Sequence, residues 1–82
     1  MEATFKMPFS GQQVVCDFDD SATADEVIRT FVDEGVLAAP RPNEQYGLAV
    51  NGGAKIIGNQ TLSSAGVTDG SIIDVLADPI QG

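Results

Sequence analysis

The sequence predicts one α+β domain in which a mixed sheet of four to five strands wraps a single central helix. Three observations point to it. Several short segments alternate apolar and polar residues with the period of a strand, whereas only one segment carries apolar residues at three- and four-residue intervals. Turn residues separate these segments at short spacing, and with 82 residues the chain has room for one core and no second domain. Hydrophobic residues make up 43% of it and charged residues 20%, enough apolar surface to bury and to exclude wholesale disorder.

The elements follow in order. Ala3, Phe5, Met7 and Phe9 alternate with Thr4, Lys6 and Pro8, which predicts a half-buried strand with its end weakened by the missing N–H of Pro8. Ser10-Gly11-Gln12 is turn chemistry, and Gln13 to Asp19 returns as a second strand with Val14, Cys16 and Phe18 inward, closing a hairpin. Thr23 and Glu26 have capping-box spacing, so a helix is expected from about Ala24 to Glu34 with Val27, Ile28, Phe31 and Val32 as its apolar stripe and Gly35 as its stop. Two prolines stiffen the connection at Pro40 and Pro42. Tyr46 to Val50 and Lys55 to Ile57 then form two short strands around the Asn51-Gly52-Gly53 turn. Thr61 to Val67 reads as a helical turn, and Ser71 to Leu76 as the last strand, with Ile73 and Val75 sharing one face. A sheet that closes over the helix hides all of these stripes at once.

Charge and composition narrow the function. Four basic and twelve acidic residues give a net charge of −8, which repels phosphate backbones and anionic headgroups, so neither nucleic acid nor a membrane surface is expected as a partner. The apolar runs are far too short to cross a bilayer and Met1-Glu2 opens no secretory leader, which predicts a cytoplasmic protein. With no histidine and one cysteine, the usual zinc sets and the Ser-His or Cys-His nucleophile pairs cannot form within one chain. No enzymatic activity, metal or cofactor is therefore expected. Cys16 lies on the inward face of its strand and reads as a small buried apolar group.

Three further signals are set aside. Gly53 to Gly58 has the glycine spacing of a phosphate loop, but Asn59-Gln60 replaces its lysine and hydroxyl residue. Asp17, Asp19, Asp20, Asp25 and Glu26 lack the glycine-centred loop of a calcium site and read as a solvated acidic face. Asn59-Gln60-Thr61 is a glycosylation sequon without a secretory route to use it.

Nearly the whole chain resembles the ubiquitin-like β-grasp family. The first hairpin and the Thr23-led helix match that family's layout, and Thr61-Leu62-Ser63 precedes a turn and a last strand at ubiquitin's own spacing. In that register Gly82 holds the place of the family's terminal glycine, although Ala77-Asp78-Pro79-Ile80-Gln81-Gly82 has neither its basic residues nor its paired glycines. The stretch from Leu62 to Leu76 is also similar to bacterial ubiquitin-like proteins: modifiers encoded beside their own enzymes, and small components of type VII secretion that bind without conjugating.

The resemblance implies a protein modifier rather than an enzyme. It divides the chain into a domain at 1–76 and a flexible conjugation tail at 77–82, because Pro79 should stop strand pairing. Six extended residues reach about 20 Å, and Gly82, without a β-carbon, lets its carbonyl be approached closely. An ATP-dependent activating enzyme, a conjugating enzyme and a deconjugating protease are the implied partners. Asp78, Pro79, Ile80 and Gln81 would be read as the tail; Ala49, Asp74 and Leu76 stand where ubiquitin has its apolar binding patch; Lys6 and Lys55, the two lysines, are candidate acceptors of a second copy. The alternative is a non-conjugated adaptor of the type VII secretion kind. A sulfur carrier is weaker, because the diglycine end is missing.

Overall fold

The computed structural model describes residues 1–79. Its elements are β1 (Glu2–Lys6), β2 (Gln13–Asp17), α1 (Ala24–Asp33), β3 (Glu44–Val50), β4 (Lys55–Ile56) and β5 (Ser71–Pro79). They form a five-stranded sheet in the order β2-β1-β5-β3-β4. The β1–β5 pair is parallel and the other three are antiparallel, so the expected small α+β domain with a mixed sheet and one helix is what the chain adopts.

The helix begins where its cap predicts. The Thr23 hydroxyl accepts from the Glu26 N–H at 3.2 Å, and the Glu26 carboxylate accepts from the Thr23 N–H at 3.4 Å, satisfying two N–H groups that the first turn leaves without partners. Ala24, Val27 and Phe31 are its buried residues; Ile28 and Val32, expected in the same stripe, are half-buried against the core. The helix ends at Asp33, and Gly35 takes the left-handed conformation (φ +77°) that lets the chain turn back. Leu37 then folds under the helix end, its N–H bonded to the Phe31 carbonyl.

Three rings hold the helix to the first hairpin. Phe31 meets Phe5 and Phe18 edge-on at 5.0 and 5.7 Å, and Phe5 meets Phe18 at 5.6 Å, the arrangement that the quadrupoles of aromatic rings favour. Leu48, Ile73 and Val75 complete the inner face of the sheet. Leu62 and Val67, from the helical turn after β4, close the edge of the core; the Leu62 N–H ties that turn to Ala22 just before α1.

β2 stops at Asp17 rather than Asp19, β3 starts at Glu44 rather than Tyr46 and β4 stops at Ile56 rather than Ile57; the two largest differences from expectation, at the ends of β1 and β5, have identifiable reasons. β1 ends at Lys6 rather than Phe9. Met7 is buried and still bonds the Gln12 carbonyl, but Phe9 turns outward with φ +69° and is 82% exposed. At the other end, β5 does not stop at Leu76: Ala77, Asp78 and Pro79 pair with Tyr46, Gln45 and Glu44. The Asn51 N–H bonds the Ile72 carbonyl, so counting by twos along this antiparallel ladder makes Gln45–Asp78 a hydrogen-bonded pair and Glu44–Pro79 a non-bonded one. The ladder therefore asks no N–H of Pro79. The extended geometry that a proline imposes on the preceding residue is, for Asp78, simply that of a strand.

Candidate functional site

The outer face of the sheet, opposite α1, is where the sequence places a partner surface. Strand alternation puts Lys6, Asp74, Ala49 and Lys55 in one row across β1, β5, β3 and β4, because Asp74 pairs with both Lys6 and Ala49, and Ala49 with Lys55. Leu76 lies one row further along, opposite Gly47. Ala49, Asp74 and Leu76 thus share a face, as expected.

Their exposure is uneven. Asp74 and Leu76 are half-buried, while Ala49 is only 6% exposed, its short methyl sunk between the longer side chains of Asp74 and Lys55. Ala49 is accordingly a floor of this face rather than a contact on it. The large exposed apolar side chains are instead Phe9, Val15, Val36 and Ile57, none of which the sequence reading singled out as a partner residue. Pro8 followed by Ser10-Gly11 was the signal available for Phe9: a turn starting there leaves no strand to carry its ring inward.

Phe9 borders a shallow depression of about 240 Å³ between the β1–β2 turn and the segment leading into β3, with Met7, Val36, Arg41, Glu44 and Tyr46 also lining it. The Tyr46 hydroxyl donates to the Ala38 carbonyl at 2.8 Å, which holds that segment in place.

The charged residues are arranged as follows. Lys55 is 63% exposed and its Nζ lies 2.7 Å from Asp78 Oδ2, so one candidate acceptor is engaged by a residue expected in the free tail. Lys6 is half-buried beside Asp74. The Met1 ammonium sits 2.7 Å from Asp17 Oδ1 and 2.9 Å from the Phe18 carbonyl; its hydrogen bond to Asp17 is the main cause that raises its pKa, against a smaller effect of burial. Cys16 is half-buried, and burial together with the charge of Glu34 pushes its thiol up, which keeps it protonated and a poor nucleophile at neutral pH. Among the described residues no group of three or more His, Cys, Asp or Glu side chains converges on a metal position.

Asp78 and Pro79 lie in β5 and not in a tail; Ile80, Gln81 and Gly82 fall outside the described residues. No described helix is long and apolar enough to cross a membrane. No protein-family model matches the chain, and no curated protein matches it significantly.

Proposed function

We propose that this chain is a ubiquitin-like β-grasp modifier whose Gly82 carboxylate, free or freed by removal of further residues, is activated and passed to an amine. The carboxylate oxygen attacks the α-phosphate of ATP and expels pyrophosphate; a nucleophilic side chain of a conjugating enzyme displaces AMP; an amine then takes the acyl group as an amide and releases that side chain. This protein supplies the acyl group and the surface by which its enzymes recognise it. The chemistry belongs to the partners.

The observation that carries the reading is positional. β5 is flanked by β1 from Ser71 to Asp74 and by β3 as far as Pro79, so the residues after it follow a strand that β3 holds to its last described residue. Leu76 and Asp74 lie on the outer face of the same strand, upstream of that exit, where an enzyme that holds the terminus and covers this face meets them. Because pairing runs to Pro79, the three residues beyond reach at most about 10 Å. An enzyme with a deeper site must first peel Ala77, Asp78 and Pro79 from β3.

The same ladder and the Lys55–Asp78 ion pair favour a second reading, a non-conjugated adaptor that keeps its last strand in the sheet. Incubation with ATP and a candidate activating enzyme, followed by intact mass, separates the two. The modifier forms an adenylate or a covalent adduct that deletion of Gly82 abolishes. Partner capture that survives that deletion, with no adduct, sinks the modifier reading and leaves the adaptor.

A further inference from the structure

We propose that Lys55 and the end of β5 form one switch: acylation of the Lys55 ε-amine releases Ala77, Asp78 and Pro79 from β3, and release of those residues opens the amine to acylation. This deepens the proposed function, because the site that would accept a second copy then regulates the terminus that would be donated. Its test needs no partner enzyme.

The end of β5 is held on one side only. β1 pairs with Ser71 to Asp74, whereas β3 pairs as far as Pro79. Within the last stretch Gln45–Asp78 is a hydrogen-bonded pair, and Tyr46–Ala77 and Glu44–Pro79 are not. One pair of backbone bonds therefore secures three residues, and a strand end held in this way opens more readily than the body of the sheet.

Lys55 adds the remaining tie. β4 is not a neighbour of β5 in the sheet, yet Lys55 Nζ donates to Asp78 Oδ2 at 2.7 Å. The contact passes over Gly47 of β3, which has no side chain to separate the two groups. Among the described residues it is the one side-chain bond joining β4 to β5.

That contact makes two events depend on each other. To be acylated, Nζ must leave the carboxylate, give up a proton and attack the acyl carbon with its lone pair; the leaving group departs with the electrons of its bond to that carbon. The amide that forms carries no charge, so Asp78 loses its counter-ion. Conversely, drawing Asp78 out of the sheet leaves the exposed Lys55 side chain without its partner. Because a single contact links the two events, each favours the other by the same factor at equilibrium. In a modifier this makes a copy already linked at Lys55 the readier donor.

The test treats the full chain with a limiting amount of the N-hydroxysuccinimide ester of acetic acid and compares acetylation of the two lysines by peptide mass. Lys6 has no carboxylate at ion-pair distance among the described residues and is the internal reference. Asp78→Asn keeps the size of the side chain and removes its charge; it should raise the Lys55-to-Lys6 ratio roughly 1.4- to 5-fold at low salt, the range for an exposed pair, and about 1 M salt should remove most of the difference. In the Lys6→Arg variant, acetylation of Lys55 should speed native-state exchange of the Asp78 and Gln45 amides to a similar degree and leave the Leu76 amide unchanged. An unchanged ratio, or unchanged Asp78 and Gln45 amides after acetylation, overturns the switch. Neither readout involves Gly82, so a chain that shows both effects and forms no adduct with ATP and an activating enzyme loses the modifier reading and keeps the switch.

Discussion

Replacing Lys55 by methionine tests how the end of β5 is held. Lys55 lies on β4 beside Ala49, and Asp78 lies on β5 beside Gln45, so the lysine reaches its partner across Gly47 of β3. A β-carbon at position 47 would lie 3.5 Å from Asp78 Oδ2, an ordinary van der Waals contact, which places that carboxylate directly over Gly47. The pair is short at 2.7 Å, but its side chains are 63% and 30% exposed, and exposed pairs contribute about 0.2–1 kcal/mol. Since RT is about 0.6 kcal/mol, loss of the pair should raise local opening of the strand end roughly 1.4- to 5-fold. Native-state hydrogen exchange at the Asp78 amide, which donates across to Gln45, reads that change directly. The Leu76 amide, one bonded pair further in, should stay unchanged. At about 1 M salt, where the Debye length is about 3 Å, the difference between wild type and variant should shrink. An unchanged Asp78 amide at low salt refutes the clasp. Exchange of that amide at the rate of an unstructured peptide in the wild-type protein refutes the longer strand itself, and restores a free arm starting at Ala77.

Phe31→Ala removes the ring common to two of the three core contacts and should cost about 3–5 kcal/mol in denaturant unfolding; against a total of roughly 4–12 kcal/mol for a chain of this length, it removes at least about a quarter of the stability, and a loss under about 1 kcal/mol would contradict this core. Phe9→Gly relieves a left-handed backbone that costs a side-chain-bearing residue about 1–2 kcal/mol, offset by about 0.5–1 kcal/mol of added chain entropy. Stability should be unchanged or higher, and a clear drop in melting temperature would show that the Phe9 ring is packed rather than presented. The Met1 ammonium is held above its ordinary value of about 8 by its bond to Asp17. A raised folded-state pKa means that its contribution is complete below the unfolded value and lost as pH rises through the folded one. Stability should therefore decline from about pH 8 upward, and Asp17→Asn should flatten that decline; an identical alkaline profile in the variant would count against the pair.

The candidate site was legible only in part. Alternation within each segment placed Asp74 and Leu76 on the outer face, and cross-strand register confirmed that Ala49 joins them. Its burial was not readable, because it depends on the length of the side chains that two other strands set beside it. Phe9 was assigned inward because the alternation of Ala3, Phe5 and Met7 runs on through it, whereas the turn at Ser10-Gly11 claims the chain first. Cys16 was expected buried and is half-buried, since β2 is an edge and only one side of it is covered.

What the amino-acid order alone determined is local: the capping box of Thr23 and Glu26, the helix period of Val27 and Phe31, and the two-residue alternation of the strands. Each arises between residues a few positions apart, whose side chains and backbone interact whatever the rest of the chain does. What only the tertiary structure decided is where those elements end and what covers them. β5 runs on to Pro79 because β3, earlier in the chain, offers Glu44 at a ladder position that needs no N–H from its partner. That pairing parity is a property of two distant strands brought into register, and neither segment carries it by itself.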